Sequence, residues 1–241
     1  MPVVFRPGWL PTLLVVVSVS LFISLGRWQE RRADEKQRLM DLQQARAAEA
    51  PMRLIADMSE LGDSRYRVVT VSGSYDTDHQ VLVDNQISNG KAGYHVLTPL
   101  RGPNGSAAVL VNRGWIPMNP DRRQLPAIQA PAGQQVVSGA LDKFGTVGLK
   151  LAGADVPSPG WPAVVQVVDA GKLAERLGYP LLPYQVLLAA AEPDGYERAW
   201  RQIDLHPEKS RGYAFQWFAF AATALALYVW YGFKRSPAAS K

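Results

Sequence analysis

The chain has 241 residues, with 26 Lys and Arg against 21 Asp and Glu, three His and no Cys. That is enough for one domain of ordinary size with material left over, and it excludes a collagen, a disordered acidic tail and a disulfide scaffold. Without Cys there is neither a disulfide nor a thiolate metal site, so an oxidising compartment is permitted without being required.

Hydrophobic residues make up 47% of the chain, and they gather at its two ends. No charge stands between Trp9 and Gly26, nor between Tyr213 and Phe233. At about 1.5 Å per residue the two runs measure roughly 27 and 31 Å as helices, which matches the ~30 Å hydrocarbon layer of a bilayer. The first run reads as an uncleaved anchor. Its rival is a signal peptide with Arg6 ahead and Ser24 and Gly26 behind, but its apolar core exceeds the ~7–15 residues usual there. In the second run Tyr213 and Trp217 at one end, and Tyr228, Trp230 and Tyr231 at the other, form interfacial belts; its rival is the buried helix of a soluble core. The expected layout is a tail over 1–8, a span over 9–26, a domain over 27–212, a span over 213–233 and a tail over 234–241.

All the acidic residues lie in the middle stretch, together with every basic residue except Arg6, Lys234, Arg235 and Lys241. Acid-free basic tails favour cytoplasmic termini, whereas Arg27, Arg31, Arg32, Lys36 and Arg38 just after the first run favour the reverse. Charge alone leaves the orientation open. No basic and aromatic stripe on the middle domain argues for nucleic acid.

Residues 27–50 have helix-forming composition, stopped by Pro51. Short runs rich in Val and Leu then follow at 66–73, 80–85, 94–100, 107–112 and 134–141, with Gly, Asn, Asp and Pro at the joints. Further strands are expected at 163–168 and 184–190, flanking a short helix over 169–178 with Asp at its start and Gly at its end. The predicted class is α+β, dominated by an antiparallel sheet or small barrel between the two spans.

Chemistry is sparse. His79, His95 and His206 have no partners at metal spacing, and the sequence contains no Gly-x-Ser-x-Gly, P-loop, HExxH or Gly-x-Gly-x-x-Gly motif. No catalytic set can be assembled, so an enzyme is not expected. His95 reads as a structural or solvated histidine within a strand, and Asp76, Asp78 and His79 as turn chemistry. Three clusters stand out. Trp28, Arg32 and Lys36 fall on one helical face, beside Gly26 and Gln29; they fit cationic anchors for lipid phosphate, or a docking face for an anion or partner. Asn112, Arg113, Gly114, Trp115 and Pro117 end a strand with a turn, and Arg113 and Trp115 either stack on the surface or form a recognition patch. Gly212, Tyr213, Gln216, Trp217 and Phe218 open the second span. Gln216, polar in an apolar run, is expected to face protein, a cavity or headgroups; packing against the first span and ligand contact are the two ways to satisfy it.

In order, GRWQERRADEK (26–36), GYHVLTPL (93–100), VNRGWIP (111–117) and GYAFQWFAFA (212–221) resemble the Surfeit-locus family of cytochrome c oxidase assembly proteins, over nearly the whole chain. The resemblance implies a membrane factor, not an enzyme, that assists insertion of haem a into the catalytic subunit of a haem-copper oxidase. Both termini would then lie inside, with the middle domain in the periplasm or intermembrane space. The catalytic subunit, haem a synthase and membrane lipid are the implied partners. Trp28, Gln29, Arg113 and Trp115 become candidate partner contacts. Tyr213, Gln216 and Trp217 become candidate haem contacts, and Arg32, Lys36 and Arg113 partners for propionates or acidic surfaces. The family's proposed haem ligand, a His three residues before the Tyr, is Ser210 here. His206 is the nearest imidazole, with Pro207 standing against a helix that reaches it. The few residues ahead of the first span leave no room for a mitochondrial presequence, so a bacterial inner membrane is expected.

Overall fold

The computed structural model describes residues 3–5, 7–54, 64–103, 106–145, 152–200 and 205–235. In chain order the elements are β1 (Val3–Phe5), α1 (Trp9–Ala47), β2 (Met52–Arg53), β3 (Val68–Tyr75), β4 (Val81–Ser88), β5 (Lys91–Arg101) and β6 (Ala108–Pro117). They continue with β7 (Gln134–Asp142), β8 (Ala163–Val165), α2 (Ala170–Leu177), β9 (Leu181–Leu188), α3 (Pro207–Gly232) and β10 (Phe233–Arg235). The chain divides into two compact units, 1–42 with 202–241, and 43–201.

The first unit is built on α1 and α3. The expected span and the helix after it form one 39-residue helix, because no proline follows Pro11 until Pro51. Helix α3 starts well before the apolar run. Pro207 is its first residue, where the missing N–H costs no hydrogen bond and the fixed φ suits a helix. The helix therefore stops short of His206, as Pro207 argued, and the proline itself initiates it. The two helices run antiparallel, as their side-chain pairs show. Thr12 and Tyr228 share a hydrogen bond of 2.8 Å, Phe22 stacks on Trp217 at 5.8 Å, and Lys36 reaches Ser210. Beyond them β1 pairs with β10, Phe5 opposite Phe233. Both helices are long and apolar enough to cross a membrane.

The second unit is a sheet that closes on itself. Its order is β2-β3-β7-β9-β6-β5-β4-β8, and an additional β3–β5 pairing joins Tyr75 to Leu100. Strands β3, β7, β9, β6 and β5 therefore form a ring, with β4 and β8 extending from β5. Inside it Val69, Val71, Leu100, Val111, Leu141, Val186 and Leu188 pack together. Alternation along β3 and β9 sends every second residue into this core.

The fold is α+β, as the sequence predicts, and the sheet is mixed rather than purely antiparallel. Strands β6 and β9, β4 and β8, and β2 and β3 pair in parallel. Parallel neighbours need long connections, and the chain between β6 and β9 supplies one by passing through β7, β8 and α2. Helix α2 is set by its ends: Asp169 accepts from the Gly171 and Lys172 amides, and Gly178 closes it at φ 74°. Strand β6 does not end in a turn at Asn112. It runs on to Pro117, so the VNRGWIP stretch lies within the barrel wall.

Candidate functional site

The structure brings the first and fourth sequence motifs together on the helix pair. Small residues make this possible: Gly26 and Ala33 on α1, and Ser210, Ala214 and Ala221 on α3, are buried. A Cβ on Gly26 would stand 2.6 Å from the Phe218 ring, so only glycine lets the helices meet there without displacing that ring. One turn beyond the buried Ala33, Lys36 Nζ donates to Ser210 Oγ at 3.0 Å. Ser210 is 5% exposed, so its hydroxyl is held inside the pair by an ammonium group.

Around this contact the other expected residues separate. Trp28 carries the Arg32 guanidinium over its ring at 5.1 Å, and both are exposed. Gln29 is half-buried, Trp217 packs on Phe22 and Phe220, and Tyr213 is exposed. Gln216 is exposed too. It does not pack against the first span, because the face of α3 turned to α1 is set by Ser210, Ala214 and Ala221, and Gln216 lies about 200° around the helix from Ala214. His206 caps α3 in the left-handed region at φ 45°, and its Nδ1 lies 2.9 Å from the Glu208 carboxylate. Its backbone lies outside the helix, so it does not extend the Ser210 face.

Ser210 does not fit a haem-iron ligand: a hydroxyl already accepting from Lys36 offers iron far less than an imidazole. No group of three His, Cys, Asp or Glu able to hold a metal occurs among the described residues.

Arg113 is placed differently from either expectation. It is 2% exposed and donates to the Asp194 carbonyl through Nε at 3.0 Å and through Nη2, and to the Gln129 carbonyl at 2.6 Å. Its guanidinium sits 5.5 Å from the Tyr75 ring and 5.2 Å from that of Tyr196. Burial pushes the Tyr75 hydroxyl up to about 12, with Arg113 opposing, so the phenol is neutral. A cation in this setting clamps two loops onto the barrel and has no surface left for a partner. Trp115 is buried as well, its Nε1 donating to Gln86 at 3.0 Å. Gly114, at φ 116°, lets the strand meet the segment at Tyr196 and Glu197.

Beside Trp115 a cleft of about 640 Å³ is lined by Gln86, His95, Glu197 and Trp200. His95 meets Trp200 edge-on at 5.8 Å, and burial holds its imidazole below the usual histidine range. As expected from the sequence, Asp76 is a turn residue: His79 lies 2.8 Å from it, and Tyr179 donates to it. Sequence reasoning missed a groove on the helix pair lined by Glu30, Asp34 and Arg211. The four-residue spacing of its two carboxylates was the available signal.

A closed barrel in one unit and, in the other, two helices long and apolar enough to cross a bilayer are consistent with a membrane-anchored class. The SURF1 family model matches residues 16–222, and the chain belongs to that family, as its four motifs indicate. It is 33% identical to Surfeit locus protein 1 of Xenopus tropicalis over 57% of this chain and 47% of that protein. It is 29% identical to Surfeit locus protein 1 of Homo sapiens over 59% and 50%. An uncharacterized SURF1-like protein of Mycobacterium bovis is 27% identical over 91% of this chain and 81% of its own length. The chain spans about half the length of the vertebrate relatives it matches.

Proposed function

We propose that this protein is a membrane-anchored assembly factor for cytochrome c oxidase that assists insertion of haem a into the catalytic subunit. The observation that carries the reading is the family match, which runs from within the first apolar helix to within the last. In this reading both termini lie in the cytoplasm of a bacterium, and the barrel lies in the periplasm. The protein acts without catalysing a reaction, on the catalytic subunit and beside haem a synthase. Lys36 is engaged by Ser210, which leaves Arg32, with its neighbour Trp28, as the exposed pair suited to a haem propionate or an acidic partner surface. Deleting the gene and measuring haem a and copper in the purified oxidase tests this. Oxidase with its full haem a content would sink the proposal.

The Lys36–Ser210 contact favours a second reading of how the help is given: the factor stabilises assembly intermediates and does not itself ligate iron. Protein purified from haem a-producing cells then shows no Soret band. A band that disappears in His206→Ala would instead make that imidazole the ligand.

A further inference from the structure

The groove missed in the sequence lies wholly within the helix unit. Glu30 and Asp34 stand one turn apart on α1, facing Arg211, Ala214, Phe215 and Phe218 of α3 across a cavity of about 490 Å³. The buried Ala214 is part of its lining, and the buried Gly26 and Ala33 stand near Glu30 and Asp34 along α1. Charges of both signs line one space without neutralising each other. Among the described residues, the side chains of Glu30, Asp34 and Arg211 make no hydrogen bond or ion pair.

The depth of the groove matters. Glu30 and Asp34 follow the end of the uncharged run at Gly26 by roughly 6 and 12 Å of helix. Arg211 precedes Tyr213, where the other run begins, by about 3 Å. Glu30 and Arg211 fall within the polar layer, which adds some ~5–8 Å to each side of the hydrocarbon core, and Asp34 stands one helical turn further out at its watery edge. Phe215 and Phe218 lie within the apolar run of α3, and Phe215 is 73% exposed. The lining thus changes from two carboxylates and a guanidinium to bare aromatic surface along the axis on which a phospholipid changes from headgroup to acyl chain.

We propose that this groove binds one phospholipid with a zwitterionic, primary-ammonium headgroup, phosphatidylethanolamine. The ammonium donates to Glu30 and Asp34, the phosphate accepts from Arg211, and an acyl chain lies on Phe215 and Phe218. Phosphatidylcholine has no N–H to donate to the two carboxylates. Phosphatidylglycerol brings a phosphate but no cation, and two unpaired carboxylates repel it. The inference rests on the membrane anchoring proposed above and adds a lipid species to it.

Native mass spectrometry of the full chain released from nanodiscs of phosphatidylethanolamine, phosphatidylcholine and phosphatidylglycerol in equal parts tests the site. The wild type retains phosphatidylethanolamine about tenfold over either competitor. The Glu30→Gln, Asp34→Asn double variant and Arg211→Gln each lose that preference, while Glu35→Gln, an exposed carboxylate outside the groove, keeps it. Equal retention of the three lipids, a preference for phosphatidylglycerol, or a preference that survives in both groove variants overturns the proposal. These side chains are exposed, so the variants fold, as an unchanged thermal transition verifies. Alkaline carbonate extraction separates the two readings: a chain that stays in membranes without lipid preference sinks the site alone, and a chain released from membranes sinks the anchoring.

Discussion

The barrel and the helix pair each carry two of the recognisable motifs, and they use them in opposite ways. In the barrel, VNRGWIP and GYHVLTPL are adjacent antiparallel strands, with His95 opposite Trp115. Arg113 and Trp115 spend their hydrogen bonds on Asp194, Gln129 and Gln86 backbone carbonyls. In the helix pair the small residues and Ser210 go inside, while Trp28, Arg32, Tyr213 and Arg211 remain exposed. A motif rich in Arg and Trp can therefore belong to the fold in one unit and to the exposed surface in the other. What separates them is whether backbone carbonyls stand close enough to take the donors.

The sharpest test of that contrast is Arg113→Ala. It leaves buried carbonyls unsatisfied and two tyrosine rings without their cation, and should destabilise the barrel by about 3 kcal/mol or more, read by near-UV circular dichroism on heating. Arg113→Lys should not restore the loss, since one ammonium cannot reproduce the fork between two loops. A full-strength barrel in Arg113→Ala would return this residue to the surface role. Next in size, Gly26→Ile drives a branched side chain into Phe218. Packing strain of about 1–3 kcal/mol is expected, confined to the helix pair. Bis-maleimide bridging of cysteines placed at Phe22 and Trp217 should fall sharply while the barrel transition stays unchanged.

Smaller again, Ser210→Ala removes a hydrogen bond from an ammonium. It should loosen the pair by about 1–2 kcal/mol in the same bridging assay and leave the visible spectrum unaltered. A spectral change would place cofactor at this serine. The smallest effect concerns pH. His95 has a folded pKa below its ordinary value of 6.5 because burial disfavours the charged ring. The unfolded chain thus takes up a proton that the folded barrel refuses. Stability from this group is complete above pH 6.5 and declines as pH falls toward the folded value, each unit of difference being worth about 1.4 kcal/mol. His95→Gln should flatten that part of the pH profile.

The two apolar helices and most strands were legible because their signals are local: uncharged runs of bilayer length, Val- and Leu-rich segments and turn residues. The boundary at Tyr213 marked where charge stops, whereas the helix begins at Pro207, where proline permits it. The strand expected over 163–168 narrows to Ala163–Val165, a short edge that pairs with β4. The partners of Arg113 were not legible, since Gln129 and Asp194 are far from it in sequence and offer carbonyls that every residue possesses.

By itself, then, the sequence determined the class of most of the longer elements and the family to which the chain belongs, because both rest on composition and order along the chain. Only the tertiary structure decided that Arg113 is walled in, that Lys36 meets Ser210, and that Glu30, Asp34 and Arg211 share a groove. Each of these depends on which distant backbone a side chain meets. That is set by the closure of the barrel and by the antiparallel fit of small residues between two helices.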